Sequence, residues 1–377
     1  QIKSVGTSPL NFVLLEASQA LDEVVVALSP ITRPKETPLS TQSLSAVEIA
    51  NYPGSNNDVV QVAQTLPGVS PSIGGFRNDL ISRGGAPNEV VYYLDGIEIP
   101  NINHFSTQGS AGGPVGMLNV SFISDVRLSA SAFGAQYNNP LSGVLQFTQR
   151  DVNPEGFAGN FRLSASEAAL TLETPLSVNK KNGEVKTDVL FSVRRSYLQF
   201  LFELIGLPIR PDYWDYQYKL NHKIDAYNSL SFIGLGSIDE FTVALPEDPT
   251  ADQQATFDQV PFINQNSNTV GVTWKRRFKD QSGFMEMSLS NNSLWNTYSE
   301  YNDNATQLDL RFQNDALESE TKLRLAVNRF AKGWKWSHGF NLQRAYYENS
   351  TLNTLAGYNY NTSLDFLNYG LFMQGSK

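Results

Sequence analysis

The stretch "YWDYQYKLNHKI" (213–224) carries its apolar residues at every second position: Trp214, Tyr216, Tyr218, Leu220, His222 and Ile224 fall on one side, and Asp215, Gln217, Lys219, Asn221 and Lys223 on the other. Side chains on a β-strand point alternately to opposite faces, so this spacing predicts a strand with one apolar and one wet side. The same alternation recurs in "FMEMSLS" (284–290), where Met285, Met287 and Leu289 oppose Glu286 and Ser288, in "TKLRLAV" (321–327) and in "WKWSHGFNLQ" (334–343). The connections differ in kind: "DAYN" (225–228), "KDQSG" (279–283) and "RFAKGW" (329–334) are short, whereas the polar tracts 240–268 and 291–320 read as long loops. Short turns at one end, long loops at the other and strands that are apolar outside and polar inside describe a membrane β-barrel. Tyr213, Trp214, Trp274, Trp334 and Trp336, near strand ends, fit interfacial aromatic girdles. A large soluble β-sandwich would show the same strand texture.

Composition narrows the choice. The chain has 377 residues, 41% hydrophobic, with 28 Lys and Arg against 37 Asp and Glu, a net charge of −9 that argues against nucleic acid as a partner. It has no cysteine, so neither disulfides nor thiolate metal sites hold the fold, and an oxidising compartment suits it. The longest apolar candidate for a spanning helix, "LQFLFELIGLP" (198–208), falls short of the roughly 18 residues such a helix needs and contains Glu203. A membrane location therefore requires a closed barrel. No signal peptide begins at Gln1, as expected of a mature or trimmed chain.

Ahead of the barrel-like part the texture changes. "NFVLLEASQALDEVVVALSP" (11–30) holds two apolar runs, and the Pro-, Ser- and Thr-rich "ITRPKETPLSTQSLS" that follows reads as an extended linker. From Ser45 to Arg150 the pattern is compact, Gly-rich and α+β. "SNNDVVQVAQTLPG" (55–68) predicts a short helix with cap-type residues at its start, Val59, Val62, Ala63 and Leu66 on one face, and a Pro67-Gly68 stop. In "EVVYYLDGIEIP" (89–100) two β-rich runs flank Asp95-Gly96, a dipeptide suited to a tight hairpin. "FISDVRLSASAFGAQYNNPLSGVLQFTQRD" (122–151) supplies two more strands around a bend.

Three of these segments, "NNDVVQVAQTLPGV", "ISRGGAPNEVVYYLDGIEIP" and "GAQYNNPLSGVLQFTQRD", in that order and spacing, resemble the plug domain of TonB-dependent outer-membrane receptors. "RRSYLQFLFELIG" with "YWDYQYKLNHKI" resembles the early barrel of the subgroup that carries a carboxypeptidase-regulatory-like domain at its N-terminus. The resemblance implies an α+β plug domain followed by an antiparallel transmembrane β-barrel. It divides the chain into the end of an upstream carboxypeptidase-regulatory-like β domain (1–20), a TonB box and linker (21–44), the plug (45–151) and the N-terminal part of the barrel (152–377). Such a barrel has roughly twenty or more strands and residues 157–377 hold only about ten, so the barrel is expected to be incomplete in this chain.

The implied function is an outer-membrane receptor and transporter of a Gram-negative bacterium, importing a scarce or large ligand with energy coupled through TonB. A non-transporting structural or binding subunit of a larger outer-membrane complex is the alternative. Implied partners are TonB in the periplasm, outer-membrane lipid, an extracellular ligand and a further outer-membrane or surface lipoprotein subunit. "LDEVVV" looks like a TonB box, with Asp22, Glu23, Val24, Val25 and Val26 as its contacts; the alternative is a terminal strand of the upstream domain. The glycine turns at Arg83, Gly84 and Gly85 and at Asp95 and Gly96 are expected to compact the plug, and Arg77, Arg83 and Arg127 to meet inward residues of the wall such as Asp215 and Glu286. Asn101, Asn103, His104 and Phe105 lie in a loop that faces either ligand or solvent. No catalytic residue, cofactor or metal site is expected: His104, His222 and His338 lack neighbours at ligand spacing, no Gly-x-Ser-x-Gly elbow occurs, and "GSAGGPVG" (109–116) reads as a flexible loop rather than a phosphate cradle. Tyr298, Tyr301, Tyr347 and Tyr358, read as loop residues, could stack on sugars or pack as girdle.

Overall fold

The computed structural model describes residues 41–52, 58–71, 78–106, 113–164, 166–179 and 183–377, all within one compact unit, Pro38–Lys377. Residues 1–20, Asp22 to Val26 and Arg77 lie outside the described residues. The plug strands are β1 (Thr41–Ser45), β2 (Val69–Ser70), β3 (Ile81–Ser82), β4 (Val90–Leu94), β5 (Ile97–Ile99), β6 (Asn103–His104), β7 (Val115–Gly116), β8 (Ile123–Ser129) and β9 (Gly143–Gln149). Five of them form one sheet in the order β1-β8-β9-β4-β5, with β4 and β9 parallel and the other pairs antiparallel.

Local chemistry accounts for this domain. Asp95 and Gly96 both take positive φ, 48° and 83°, which is what a two-residue turn between Leu94 and Ile97 demands. Helix α1 (Ala46–Asn51) starts on a Ser45–Glu48 capping box, and α2 (Val59–Ala63) on Asp58, whose carboxylate accepts from Val60 N at 2.8 Å. The apolar face of α2 packs with Leu94, Ile97, Val126, Leu145 and Phe147 in one buried core. Leu190, Ile233 and Leu235 of the surrounding sheet complete it.

That sheet is a meander of ten antiparallel strands: β10 (Ala158–Leu163), β11 (Glu167–Val178), β12 (Val185–Ser196), β13 (Ile209–Lys223), β14 (Asn228–Val243), β15 (Phe262–Arg277), β16 (Gly283–Asp303), β17 (Leu308–Ala331), β18 (Trp334–Asn353) and β19 (Tyr358–Ser376). It does not close, since β10 and β19 are not paired with each other. Its polarity is inverted relative to a soluble sandwich. Thr171, Ser192, Arg194, Asp215, Gln217, Ser237, Asp239 and Gln265 are buried on the concave side against the plug, while Trp214, Phe232, Leu289, Trp295 and Leu371 are exposed outside. An exposed apolar band over a buried polar face is stable only where the outer solvent is lipid. Among the described residues no helix is long and apolar enough to cross a membrane.

Three readings of the sequence change here. The tract 291–320 is not a loop but the paired ends of β16 and β17, in register from Asn291↔Thr321 to Glu300↔Phe312, shifted by a bulge before Tyr301↔Leu310, and turning at 304–307. Backbone pairing satisfies these strands whatever side chains they carry, so polar side chains do not oppose it. Tyr298, Tyr301, Tyr347 and Tyr358 accordingly stand on strands. The polar tract after β14 contains α3 (Ala251–Gln259), started by a capping box of Thr250 and Gln253. Tyr213 is not a girdle residue: it shares the parity of Asp215, points inward and is 1% exposed, whereas Trp214 points out.

Candidate functional site at the plug and barrel contact

A short antiparallel pair, Asn103↔Gly116 and His104↔Val115, carries the fully buried His104 to the wall. Asn101 braces the turn that follows, its Oδ1 accepting from Asn103 N at 2.9 Å and its Nδ2 donating to Asn103 O and Ser106 Oγ, each at 2.7 Å. Phe105 sits in left-handed backbone, φ 54°, a conformation that strains a residue with a bulky side chain. Its N–H donates to Asp239 Oδ2 at 3.1 Å, which holds the turn in that state.

His104 is fully buried between two barrel carboxylates: Nδ1 lies 2.7 Å from Asp239 Oδ1 and Nε2 3.0 Å from Asp215 Oδ2. An ionised carboxylate only accepts, so both ring nitrogens donate and the ring is the imidazolium. Burial pushes the His104 pKa down, but Asp239 and Asp215 outweigh it and raise it to about 9. Tyr213 stacks on the ring, centroids 3.9 Å apart.

The network continues along the wall. Arg194 Nε donates to both Asp215 oxygens, at 3.0 and 2.9 Å, Nη1 to Glu167 Oε2 at 3.3 Å, and Nη2 to the plug carbonyl of Gly116 at 2.8 Å. Tyr213 donates its hydroxyl to Glu167 Oε2 at 3.0 Å, and Arg162 meets Glu167 Oε1 at 3.2 Å. Three carboxylates thus face Arg194, Arg162 and the His104 imidazolium, so the cluster is neutral. Neutrality is what makes burial of so many charges tolerable.

Two further layers repeat the plan with other groups. Asn119 N–H donates to Gln217 Oε1 at 3.1 Å and Asn119 Nδ2 to Ser192 Oγ at 2.6 Å. Below it Lys219 Nζ reaches Asp95 Oδ2 at 3.2 Å and Gln149 O at 3.1 Å, and Lys322 meets Glu98 at 2.7 Å. Arg324 donates to the Gly96 carbonyl at 3.4 Å. Contacts of this kind are directional and exchangeable with water, unlike the plug's apolar core.

The residues singled out from the sequence divide. Asp95 and Gly96 stand at the wall. Arg83 and Gly84 form a turn of positive φ, 50° and 77°, and Gly85 packs so closely that a Cβ there would lie 2.4 Å from Glu89 Oε2; none of the three has a hydrogen bond to the barrel among the described contacts. Arg127 is half exposed and pairs within its own strand with Asp125 at 3.6 Å, not with the wall. Asp215 does point inward, but its plug partner is His104 rather than an arginine, because the tight pair at Gly116 brings the imidazole to the strand first. Asn101, Asn103 and His104 are buried and engaged within the plug or with the wall instead of facing solvent, while Phe105 and Ser106 border a cavity at the end of the barrel opposite the short turns. Val115 and Gly116, read as flexible loop, are paired strand. Arg194 and Glu167 were not singled out, although Arg194 lies opposite Asp215 in register and shares its inward parity. Among the described residues no group of three or more His, Cys, Asp or Glu is placed to hold a metal ion.

Residues 33–144 match the family described as TonB-dependent Receptor Plug Domain. The ferric enterobactin receptor PfeA of Pseudomonas aeruginosa is similar in structure, with a TM-score of 0.58 at 15% identity over 89% of this chain and 55% of that one. The alcaligin outer-membrane receptor FauA of Bordetella pertussis gives 0.60 at 12% identity over 91% and 53%, and the copper transporter OprC 0.63 at 12% over 89% and 52%. At such identities the likeness is one of fold, and the chain spans about half the length of these structures. No curated protein matches the chain by sequence.

Proposed function

We propose, from a TonB-dependent receptor plug seated against half of a receptor-type barrel, that this chain belongs to an outer-membrane transporter that imports a ligand with energy delivered through TonB. The observation that carries the proposal is the nature of the seat. Beside an apolar contact with Leu190, Ile233 and Leu235, the plug is held by a neutral set of ion pairs and amide contacts centred on His104, Asp215, Asp239 and Arg194. Such contacts fix one position and yet re-form after water has entered.

In this reading residues 1–20 end an upstream carboxypeptidase-regulatory-like domain, 21–44 are box and linker, 45–151 plug and 152–377 barrel, which places the protein in the outer membrane of a Gram-negative cell. Asp22, Glu23 and the β-branched run Val24, Val25 and Val26 add a strand to the edge of TonB. A pull on the chain ahead of Thr41 meets β1 first, which among the described residues is an edge strand paired with β8. Ligand enters at the end away from the short turns, where Phe105 and Ser106 face the cavity. Strain at Phe105 and the charge of His104 then tie the ligand-side turn to the wall through the same carboxylate, Asp239.

Deletion of residues 22–26 from the full receptor in cells tests the proposal. The expected result is unchanged binding of ligand at the surface and uptake reduced at least to the level of a strain without TonB. Uptake that survives the deletion, together with a stoichiometric protein partner in mild detergent, would instead favour the non-transporting subunit.

A further inference from the structure

Charge is segregated between the two ends of the barrel wall. Among the described residues, the connections 197–208, 244–261, 304–307 and 354–357 at the far end carry carboxylates, Glu203, Glu247, Asp248, Asp252 and Asp258, and no Lys or Arg. At the short-turn end Lys279 and Lys332 lie in the turns that join β15 to β16 and β17 to β18, and Arg276 and Arg329 stand near the ends of the strands that lead into them. Arg276 and Lys332 are exposed, and neither has an ion-pair partner among the described residues, so their charge is presented rather than cancelled.

Strand register fixes the side on which these groups stand. Arg276 has the parity of the exposed Val270, opposite to that of Gln265 and Thr269, which are buried on the plug side. It pairs with Met285, one step nearer the short turns than the outward apolar rows that run from Trp274 to Phe340 and from Val272 to Leu342. Arg329 follows one row lower, opposite Trp336, with its guanidinium carbon 3.6 Å above the Phe278 ring and a nitrogen 3.6 Å from Asp280. Trp334 and Trp336 stack beside it, centroids 5.5 Å apart, and both are exposed. Cations and aromatic rings at the edge of an outward apolar band match the headgroup layer of a bilayer, where rings sit at the boundary and cations meet phosphate. The cations lie along an edge continuous with the lipid-facing band, so the occupant that fits is an amphiphile with an anionic head.

We propose that this edge binds the phosphate headgroups of anionic phospholipid, with Arg276 and Lys332 as its principal cations and the acyl chains on the apolar rows above them. The assignment rests on the outer-membrane reading above and adds the class of lipid and the end of the barrel that holds it. An arginine fork takes a phosphate through two N–H groups and a lysine takes it as a point charge, so neither needs an enclosed pocket. A zwitterionic lipid brings its own ammonium and gains less from them. The far end, with only carboxylates in its connections, repels the same headgroups, so the charge pattern also sets which end lies in a phospholipid leaflet.

The test offers the full receptor in mild detergent equal amounts of phosphatidylglycerol and phosphatidylcholine, and native mass spectrometry reads which lipid stays bound. The native chain is expected to retain phosphatidylglycerol preferentially, and Arg276→Gln combined with Lys332→Gln to lower that preference about fivefold or more, as for cations beside an anionic surface. Arg277→Gln removes the same charge one residue along, on the inward side, and should leave the preference as it is. Heat-dependent migration on a gel checks that each variant keeps its barrel. Equal retention of the two lipids by the native chain, a preference untouched by the double change, or one lost equally with Arg277→Gln overturns the headgroup site. A receptor that gives any of these results yet still requires detergent leaves the outer-membrane reading standing; one that stays in solution without detergent and retains neither lipid removes both.

Discussion

Replacing His104 with alanine should loosen the seated plug by about 3 to 5 kcal/mol, the range for removing one partner of a buried charge pair. The loss exceeds that of two hydrogen bonds, because Asp239 would keep its charge with only Phe105 N–H and Ser237 Oγ as neighbours, while Asp215 would retain Arg194. His104→Ala combined with Asp239→Asn should therefore be less damaged than the sum of the single changes, since the neutral amide no longer needs a cation. The readout is protease protection of the plug in the full receptor in detergent, with heat-dependent migration reporting the barrel. The same imidazolium makes the seat pH-dependent. With a pKa of about 9 in place against 6.5 free, its contribution is fully present below about pH 6.5 and is lost as pH rises through 9. Protection should fall over that window in the native receptor and stay flat in His104→Ala; a parallel fall in both would show that other groups set the profile.

Gly116→Val should leave the plug unable to take its place. A Cβ at this position would lie 2.3 Å from Asp58 Oδ1 and 2.8 Å from its Cγ, closer than atoms can stand. The displaced Asp58 carboxylate also accepts from Val60 N at 2.8 Å, from Asn78 Nδ2 at 2.6 Å and from Gly116 N at 2.8 Å. Burial pushes the Asp58 pKa up and these donors oppose it, so losing them strands a buried acid. The helix cap to Val60 N is worth about 1 kcal/mol and the two bonds from Asn78 and Gly116 about 1.5 to 3 each, a large share of what a small domain has. The carbonyl of Gly116 would in addition leave Arg194. Full protease sensitivity of the plug with an intact barrel is expected, and Gly134→Ala, whose Cβ would meet nothing nearer than 3.4 Å, should behave as the native chain.

How far the sequence reveals this arrangement depends on the range of the interactions. Local rules were readable: Asp58 before an apolar helical face, Asp95-Gly96 between two β-rich runs, and the alternation through Trp214 and Asp215, which together led to the plug and barrel fold. The capping box of Thr250 and Gln253 was equally local and went unread beneath a polar composition. The paired ends of β16 and β17 were hidden for another reason, since their backbones pair without a regular hydrophobic period to detect. Tyr213 could have been placed inward by counting from Asp215. The partnership of His104 could not: its two acceptors lie 111 and 135 residues away, and only the folded wall brings Asp215 and Asp239 to the two sides of one ring.

The central claim, that the plug must leave this seat for ligand to pass, is tested most directly by tying it down. A Cβ placed at Gly271 of the wall would lie 3.3 Å from Cγ1 of Ile97 on the plug hairpin, the atom that a cysteine sulfur replaces, and the chain has no cysteine of its own. Ligand binding and uptake are measured on cells carrying the full receptor with Ile97→Cys and Gly271→Cys, oxidised and then reduced. Binding in both states, with uptake abolished on oxidation and restored on reduction, is the predicted result. Uptake at the native rate while the cross-link is shown to be complete would contradict it.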